Sequence, residues 1–174
     1  MKKSLIGFIE TFVVGIFLSI LIMVFVGQSL EITGESMYPT LKDKERIAVE
    51  KVTYKGRAPE RGEIVVFRSL QNDAVFLIKR VIAVPGDTIG LDGEKMLVNG
   101  NPADESYLPK NAAIDNLGEL ANYSNSPIPN NYFAVMGDNR NESFDSRMFG
   151  LIPFSNLVGK AFVVYWPPIE IRKI

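Results

Sequence analysis

Val75-Phe76-Leu77-Ile78-Lys79-Arg80-Val81-Ile82-Ala83-Val84-Pro85-Gly86-Asp87 decides how the rest of the chain reads. Ten residues rich in apolar side chains have the length of a strand, and Pro85-Gly86-Asp87 is a turn signal. Strand alternation groups Lys79 with Leu77 and Val81, and Arg80 with Ile78 and Ile82. The two basic neighbours therefore face opposite ways. Runs of the same kind recur at Arg46–Val52, Glu63–Phe67, Lys95–Val98, Tyr132–Met136 and Leu157–Trp166. Asp92-Gly93 and Asn99-Gly100 bracket Lys95–Val98, and both dipeptides favour the positive φ angles of tight hairpins. Many short strands joined by turns predict a mainly β fold, an antiparallel and partly closed sheet.

Downstream, residues 99–131 break the pattern. They are rich in Asn, Pro, Ala and Ser and end near Ser124-Asn125-Ser126-Pro127-Ile128-Pro129. They read as a flexible insertion or flap between core strands, without a chemical group that stands out.

Upstream lies the single membrane-length apolar run. From Ser4 to Val26 the only formal charge is Glu10. As a helix this run is about 34 Å long, enough for a hydrocarbon core of about 30 Å. Lys2 and Lys3 precede it and the next basic residue is Lys42, so the positive-inside rule puts the N-terminus in the cytoplasm. The expected organisation is a cytoplasmic tail over 1–3, a transmembrane anchor over 4–26 and an extracytoplasmic domain over 27–174. A cleaved secretory signal would have a shorter apolar core and a small-x-small site, which Val26-Gly27-Gln28-Ser29 does not supply.

The 174 residues carry a net charge of −1, which excludes the strongly basic face of a nucleic-acid binder. No cysteine and no histidine occur. Disulfides, thiol nucleophiles and most zinc or iron sites are thereby excluded, and no metal or cofactor is expected. A serine nucleophile would lack its commonest base, imidazole. A lysine could replace it only if held neutral.

Three segments carry candidate chemistry. Ser36, in Gly34-Glu35-Ser36-Met37-Tyr38-Pro39-Thr40-Leu41, lies between a residue that permits tight backbone and one that rigidifies the exit. Lys79 is set among aliphatic residues, where burial disfavours the cation and lowers its pKa. Spacing alone leaves open a lysine that snorkels its ammonium into water. Lys160, in Val158-Gly159-Lys160-Ala161-Phe162, is the second candidate base. The third segment is the polar run Gly137-Asp-Asn-Arg-Asn-Glu-Ser-Phe-Asp-Ser-Arg-Met-Phe-Gly150. There Ser143 or Ser146 could hold a lysine amine by a hydrogen bond, or the run could be a solvated loop tied by Asp–Arg pairs.

Together these segments resemble the type I signal peptidases of bacteria, with a single span and compact domain similar to the Gram-positive branch. The resemblance covers nearly the whole chain in order. After the anchor come the Gly34–Leu41 box, Arg61-Gly-Glu-Ile-Val-Val-Phe67, Lys79-Arg80-Val-Ile-Ala-Val-Pro-Gly-Asp87, and Gly137-Asp-Asn-Arg with Asp145-Ser-Arg147. It implies a membrane-anchored serine endopeptidase that removes signal peptides from exported preproteins, with small residues preferred at −1 and −3. By the same resemblance Ser36 is the nucleophile, Lys79 the general base and Ser143 the hydroxyl that orients the amine, while Asp145 and Arg147 brace the site. The Ser36 backbone N–H is the implied oxyanion donor. Many members have a serine two residues before the nucleophile as a second donor, and Gly34 stands there without a side-chain donor. The implied partners are preproteins and the lipid bilayer, with no nucleic acid and a monomeric state. The alternative is a weak or inactive relative serving as an assembly factor for surface structures such as pili.

Overall fold

The computed structural model describes residues 2–25, 27–109 and 112–174, with side chains in 2–6 and 20–25 outside the description. Helix α1 (Lys2–Phe25) comes first. Eleven strands follow among the described residues. They are β1 (Gly27–Glu31), β2 (Arg46–Glu50), β3 (Ile64–Arg68), β4 (Phe76–Ala83), β5 (Ile89–Asp92), β6 (Lys95–Val98), β7 (Asn101–Pro102), β8 (Tyr132–Met136), β9 (Ile152–Pro153), β10 (Leu157–Trp166) and β11 (Arg172–Lys173). Two one-turn helices, α2 (Thr53–Gly56) and α3 (Ser146–Phe149), sit between strands.

The main sheet has eight strands in the order β1-β2-β10-β3-β4-β8-β9, with β11 added on β10. Every pairing in it is antiparallel. The sheet curls: residues 30–33 at the end of β1 and 76–79 of β4 line one cavity although three strands separate them. Register irregularities along β10 and between β4 and β8 accompany the bending, as bulges do.

A second, three-stranded sheet, β5-β6-β7, is a meander built on the two dipeptide turns. Asp92 pairs with Lys95 and Val98 with Asn101, leaving two-residue connections. Asn99 and Gly100 have φ of 55° and 74°, the left-handed pair a type I′ turn requires.

Three apolar clusters fill the domain. Ile47, Val49, Ile64 and Val66 pack with Met37 and Leu41 under the Ser36 loop. Val65, Phe67, Val81, Phe133, Val135 and Ile152 form the second. The third joins Ile82, Ile89, Met96 and Val98 to Ile114, Leu117, Leu120 and Ile128. Those last four side chains come from the 99–131 stretch, within which Lys110 and Asn111 lie outside the described residues.

The expected anchor over 4–26 falls only in part on described residues. Its backbone is helical from Lys2 to Phe25, Val26 lies outside the description, and described side chains run only over 7–19. Among the described residues no helix is long and apolar enough to cross a membrane.

Candidate active site

The Ser36 loop is held from below. Met37 and Leu41 are buried in the core, and Leu41 N–H donates to the Met37 carbonyl at 2.9 Å. Gly34 N–H donates to Asp43 Oδ1 at 2.8 Å, tying the other flank. Ser36 itself is half-buried, and no hydrogen bond among the described residues engages its N–H.

Lys79 comes to it from β4, where it lies opposite Val65 of β3. Its side chain is 4% exposed, and Nζ lies 2.7 Å from Ser36 Oγ. Burial drives the Lys79 pKa down to about 8, although Asp145 and Asp138 pull it the other way. About a tenth is therefore neutral at pH 7 and half at pH 8, and a neutral amine can accept the Ser36 hydroxyl proton.

Lys160 also lies opposite Val65, but on the other side of β3, so two strand spacings (about 10 Å) separate it from Lys79. Its ammonium donates to Glu63 Oε1 at 2.7 Å. Burial pushes the Glu63 carboxyl up, but hydrogen bonds from Arg57 and Lys160 outweigh it and bring the pKa to about 2. Lys160 is thus engaged by a carboxylate and lies away from Ser36.

The polar run 137–147 closes over the pair. Asp145 caps α3 by accepting from Arg147 N–H at 3.2 Å, and its other oxygen accepts from Gly137 N–H at 3.0 Å. Arg147 donates to both Asp145 oxygens at 2.9 Å and to the Arg140 carbonyl at 2.7 Å. The two residues thus bind both ends of the 137–140 turn. Asn139 N–H donates to the Ser36 carbonyl at 3.1 Å, joining that turn to the serine loop.

Ser143 and Ser146 separate clearly. Ser146 Oγ accepts from Val135 N–H at 3.0 Å and serves the end of β8. Ser143 Oγ is buried without a hydrogen-bond partner among the described residues, so here the Lys79 amine is held by Ser36 rather than by Ser143. Ser143 Oγ and the Ser36 carbonyl oxygen both crowd the face of Gly137 on which a Cβ would stand, and a Cβ there would overlap both. Only glycine fits that approach.

Sequence reading missed the group beneath the lysine. Arg80 is 8% exposed and donates to Asp138 through Nε at 2.8 Å and Nη2 at 2.6 Å. Asp138 also accepts from Thr40 Oγ1 at 2.5 Å. A signal existed: an arginine inside an apolar strand covered on both faces needs a carboxylate, because an unpaired buried cation is prohibitively costly.

A cavity of about 150 Å³ opens beside Ser36 and Lys79, walled by Leu30, Ile32, Ile47, Val66, Phe76 and Ile78. A serine hydroxyl at hydrogen-bond distance from a buried, partly neutral amine, next to a small cavity of mixed polar and apolar lining, can carry out acyl transfer.

Comparison with known proteins agrees with this chemistry. The family described as "Signal peptidase, peptidase S26" matches residues 5–166. A Synechocystis protein named probable signal peptidase I-2 is 38% identical over 163 residues, covering 91% of this chain and 72% of that protein. Signal peptidase IB of Staphylococcus aureus is 38% identical over 183 residues, covering 99% of this chain and 95% of that one. A crystallised signal peptidase I from Enterococcus faecalis V583 is 26% identical, covering 60% of this chain and 97% of its own, with a TM-score of 0.48. With the match running through the Ser36 loop, β4 and the 137–147 run, the chain belongs to the signal peptidase family, peptidase S26.

Proposed function

We propose that this chain is a type I signal peptidase, a serine endopeptidase that cleaves signal peptides from exported preproteins with Ser36 as nucleophile and Lys79 as general base. The observation that carries this reading is the 2.7 Å approach of Lys79 Nζ to Ser36 Oγ in a buried setting. The neutral amine takes the Ser36 proton as Oγ attacks the scissile carbonyl. The unengaged Ser36 N–H donates to the tetrahedral oxyanion, with Gly34 adding no side-chain donor. The resulting ammonium protonates the leaving amine, and a water deprotonated by the same lysine hydrolyses the acyl-enzyme.

The small volume of the cavity beside Ser36, about 150 Å³, supports a preference for small side chains at −1 and −3. Asp145 and Arg147 brace the turn bonded to the Ser36 carbonyl, and Ser143, which crowds the same face of Gly137 as that carbonyl, limits the positions open to the amine.

The N-terminal segment is the membrane anchor, residues 4–26, with residues 1–3 cytoplasmic and 27–174 outside. Support comes from the 24-residue length of α1 and from large apolar side chains left in the open, among them Phe8, Phe12, Val13 and Phe17. Confinement to the bilayer brings the enzyme to the level of the substrate's own apolar segment and raises its effective concentration.

The test is preprotein cleavage by purified wild type beside Ser36→Ala and Lys79→Ala. Both variants are expected to be inactive and folded. Cleavage by Ser36→Ala at the wild-type rate would exclude it as nucleophile.

A further inference from the structure

The 99–131 stretch reaches the site through two residues. Tyr107 lies over Arg80, with the guanidinium carbon 3.9 Å from the ring centroid, the distance of a stacked cation–π contact. The edge of the same guanidinium is occupied by Asp138 and by the Gly62 carbonyl, which accepts from Nη1 at 2.7 Å. Tyr107 Oη also accepts from Arg140 Nη2 at 3.3 Å. Arg140 is buried, donates Nε to the Gly137 carbonyl at 3.1 Å, and faces Glu105 with an N···O separation of 2.5 Å. That last contact is a close ion pair without hydrogen-bond alignment.

One aromatic side chain therefore touches both arginines that hold the 137–140 turn. Arg80 grips the turn through Asp138, and Arg140 grips it through Gly137. The turn in its own right binds the Ser36 carbonyl through Asn139 N–H and Thr40 through Asp138.

We propose that Tyr107 is a positioning residue for proteolysis: its ring keeps Arg80 flat against Asp138, so that the 137–140 turn holds Ser36 in line with Lys79. This rests on the reading of Ser36 and Lys79 as nucleophile and base. Tyr107 belongs to none of the three apolar clusters and is only half-buried. Removing it therefore leaves the cores packed. It does not line the cavity beside Ser36, so substrate affinity is not its concern. What changes is the freedom of Arg80. A buried ion pair depends on its geometry, and a displacement of about 1 Å at a reacting group costs about 100-fold in rate. The competing view makes Tyr107 only a wall of the larger cavity it shares with Arg61, Asn101 and Asp104. A wall residue would affect melting without a selective effect on turnover.

The experiment measures kcat, KM and thermal melting for the full-length protein in detergent with a preprotein substrate. Wild type is compared with Tyr107→Phe, Tyr107→Leu, Tyr107→Met and, in the same assay, Ser36→Ala. Tyr107→Phe keeps the ring and loses one long hydrogen bond, so kcat stays within about threefold of wild type. Tyr107→Leu and Tyr107→Met lose the ring, and kcat falls by about 10-fold or more while KM stays within about twofold. Melting of all three remains near that of wild type. The proposal is overturned if the Leu and Met variants turn over like wild type, if Tyr107→Phe falls as far as they do, or if the loss lies in KM. It is equally overturned if both ringless variants fail to fold, which would make Tyr107 a structural residue. Cleavage by Ser36→Ala would remove the dyad reading and this proposal together, whereas an inactive Ser36→Ala beside a fully active Tyr107→Leu removes the proposal alone.

Discussion

Asp138 holds Arg80, the residue after Lys79, through two hydrogen bonds of 2.8 and 2.6 Å, inside a strand that is buried on both faces from Lys79 onward. The pair spans 58 residues of sequence. It fastens β4 to the turn that binds the Ser36 carbonyl, so the base and the nucleophile are positioned by one connected set of contacts.

Breaking that pair is expected to be expensive. Asp138→Asn leaves the Arg80 guanidinium buried beside a neutral amide, and loss of one partner from a buried ion pair costs about 3–5 kcal/mol. Chemical denaturation of Asp138→Asn should show a fall of that order. A change below about 1 kcal/mol would mean that water replaces the carboxylate.

Gly137→Ala should affect catalysis more than folding. The new Cβ meets Ser143 Oγ and the Ser36 carbonyl oxygen, so the turn must move away from the serine loop. A fall in kcat/KM of about 100-fold is expected. Wild-type kinetics in a folded Gly137→Ala protein would show that the turn does not align Ser36.

Ser143→Ala and Ser146→Ala should part in opposite directions. Ser146 Oγ satisfies a buried backbone N–H, so Ser146→Ala lowers stability by about 1–3 kcal/mol with turnover largely kept. Ser143 Oγ has no hydrogen-bond partner among the described residues to lose, so Ser143→Ala melts close to wild type. If it restricts the Lys79 amine as proposed, turnover falls by roughly 10–1000-fold. Wild-type turnover in Ser143→Ala would end that role.

The buried lysine makes stability depend on pH with a definite sign. Its folded pKa of about 8 lies below its unfolded value of about 10.5. Between those values the unfolded chain binds more protons, so stability rises with pH across that window and is lowest below it. Lys79→Met removes the buried cation, and below pH 8 it should be more stable than wild type by about 3 kcal/mol. The gain reflects the net shift, in which attraction to Asp145 and Asp138 already offsets part of the cost of burial. It should shrink as pH rises through the window. A difference independent of pH from 7 to 11 would show that Lys79 is not carried as a neutral amine.

Strands with marked ends were legible in sequence. Lys95–Val98 lies between two Gly-containing turns, and Tyr132–Met136 and Leu157–Trp166 are apolar runs bounded by polar or proline residues. Gly27–Glu31 was not legible, because Gly-Gln-Ser-Leu-Glu has no apolar alternation. It is a strand because β2 offers a free edge to it. Ile89–Asp92 is broken by Gly90, and its pairing with β6 supplies the order its composition lacks. In the site, the long apolar run around Lys79 ranked it ahead of Lys160 as the base, and the ordered boxes of the family resemblance pointed the same way; spacing alone left open whether its ammonium reached water. The Arg80–Asp138 pair and the contact of Tyr107 with Arg80 escaped because they join distant segments. No local pattern records which carboxylate or ring will meet a given arginine. The 99–131 stretch likewise has no periodicity, yet Ile114, Leu117, Leu120 and Ile128 complete an apolar cluster.

The central claim is that Lys79 is the base because burial lowers its pKa far enough for the amine to lose its proton near pH 8 beside Ser36. Titration of the Lys79 amine by nitrogen-15 NMR in the free enzyme, set against the pH dependence of kcat/KM, tests it most directly. The account predicts one pKa near 8 in both, with activity rising as the ammonium is lost. An amine that titrates above 10 while kcat/KM is already maximal at pH 8 would contradict it.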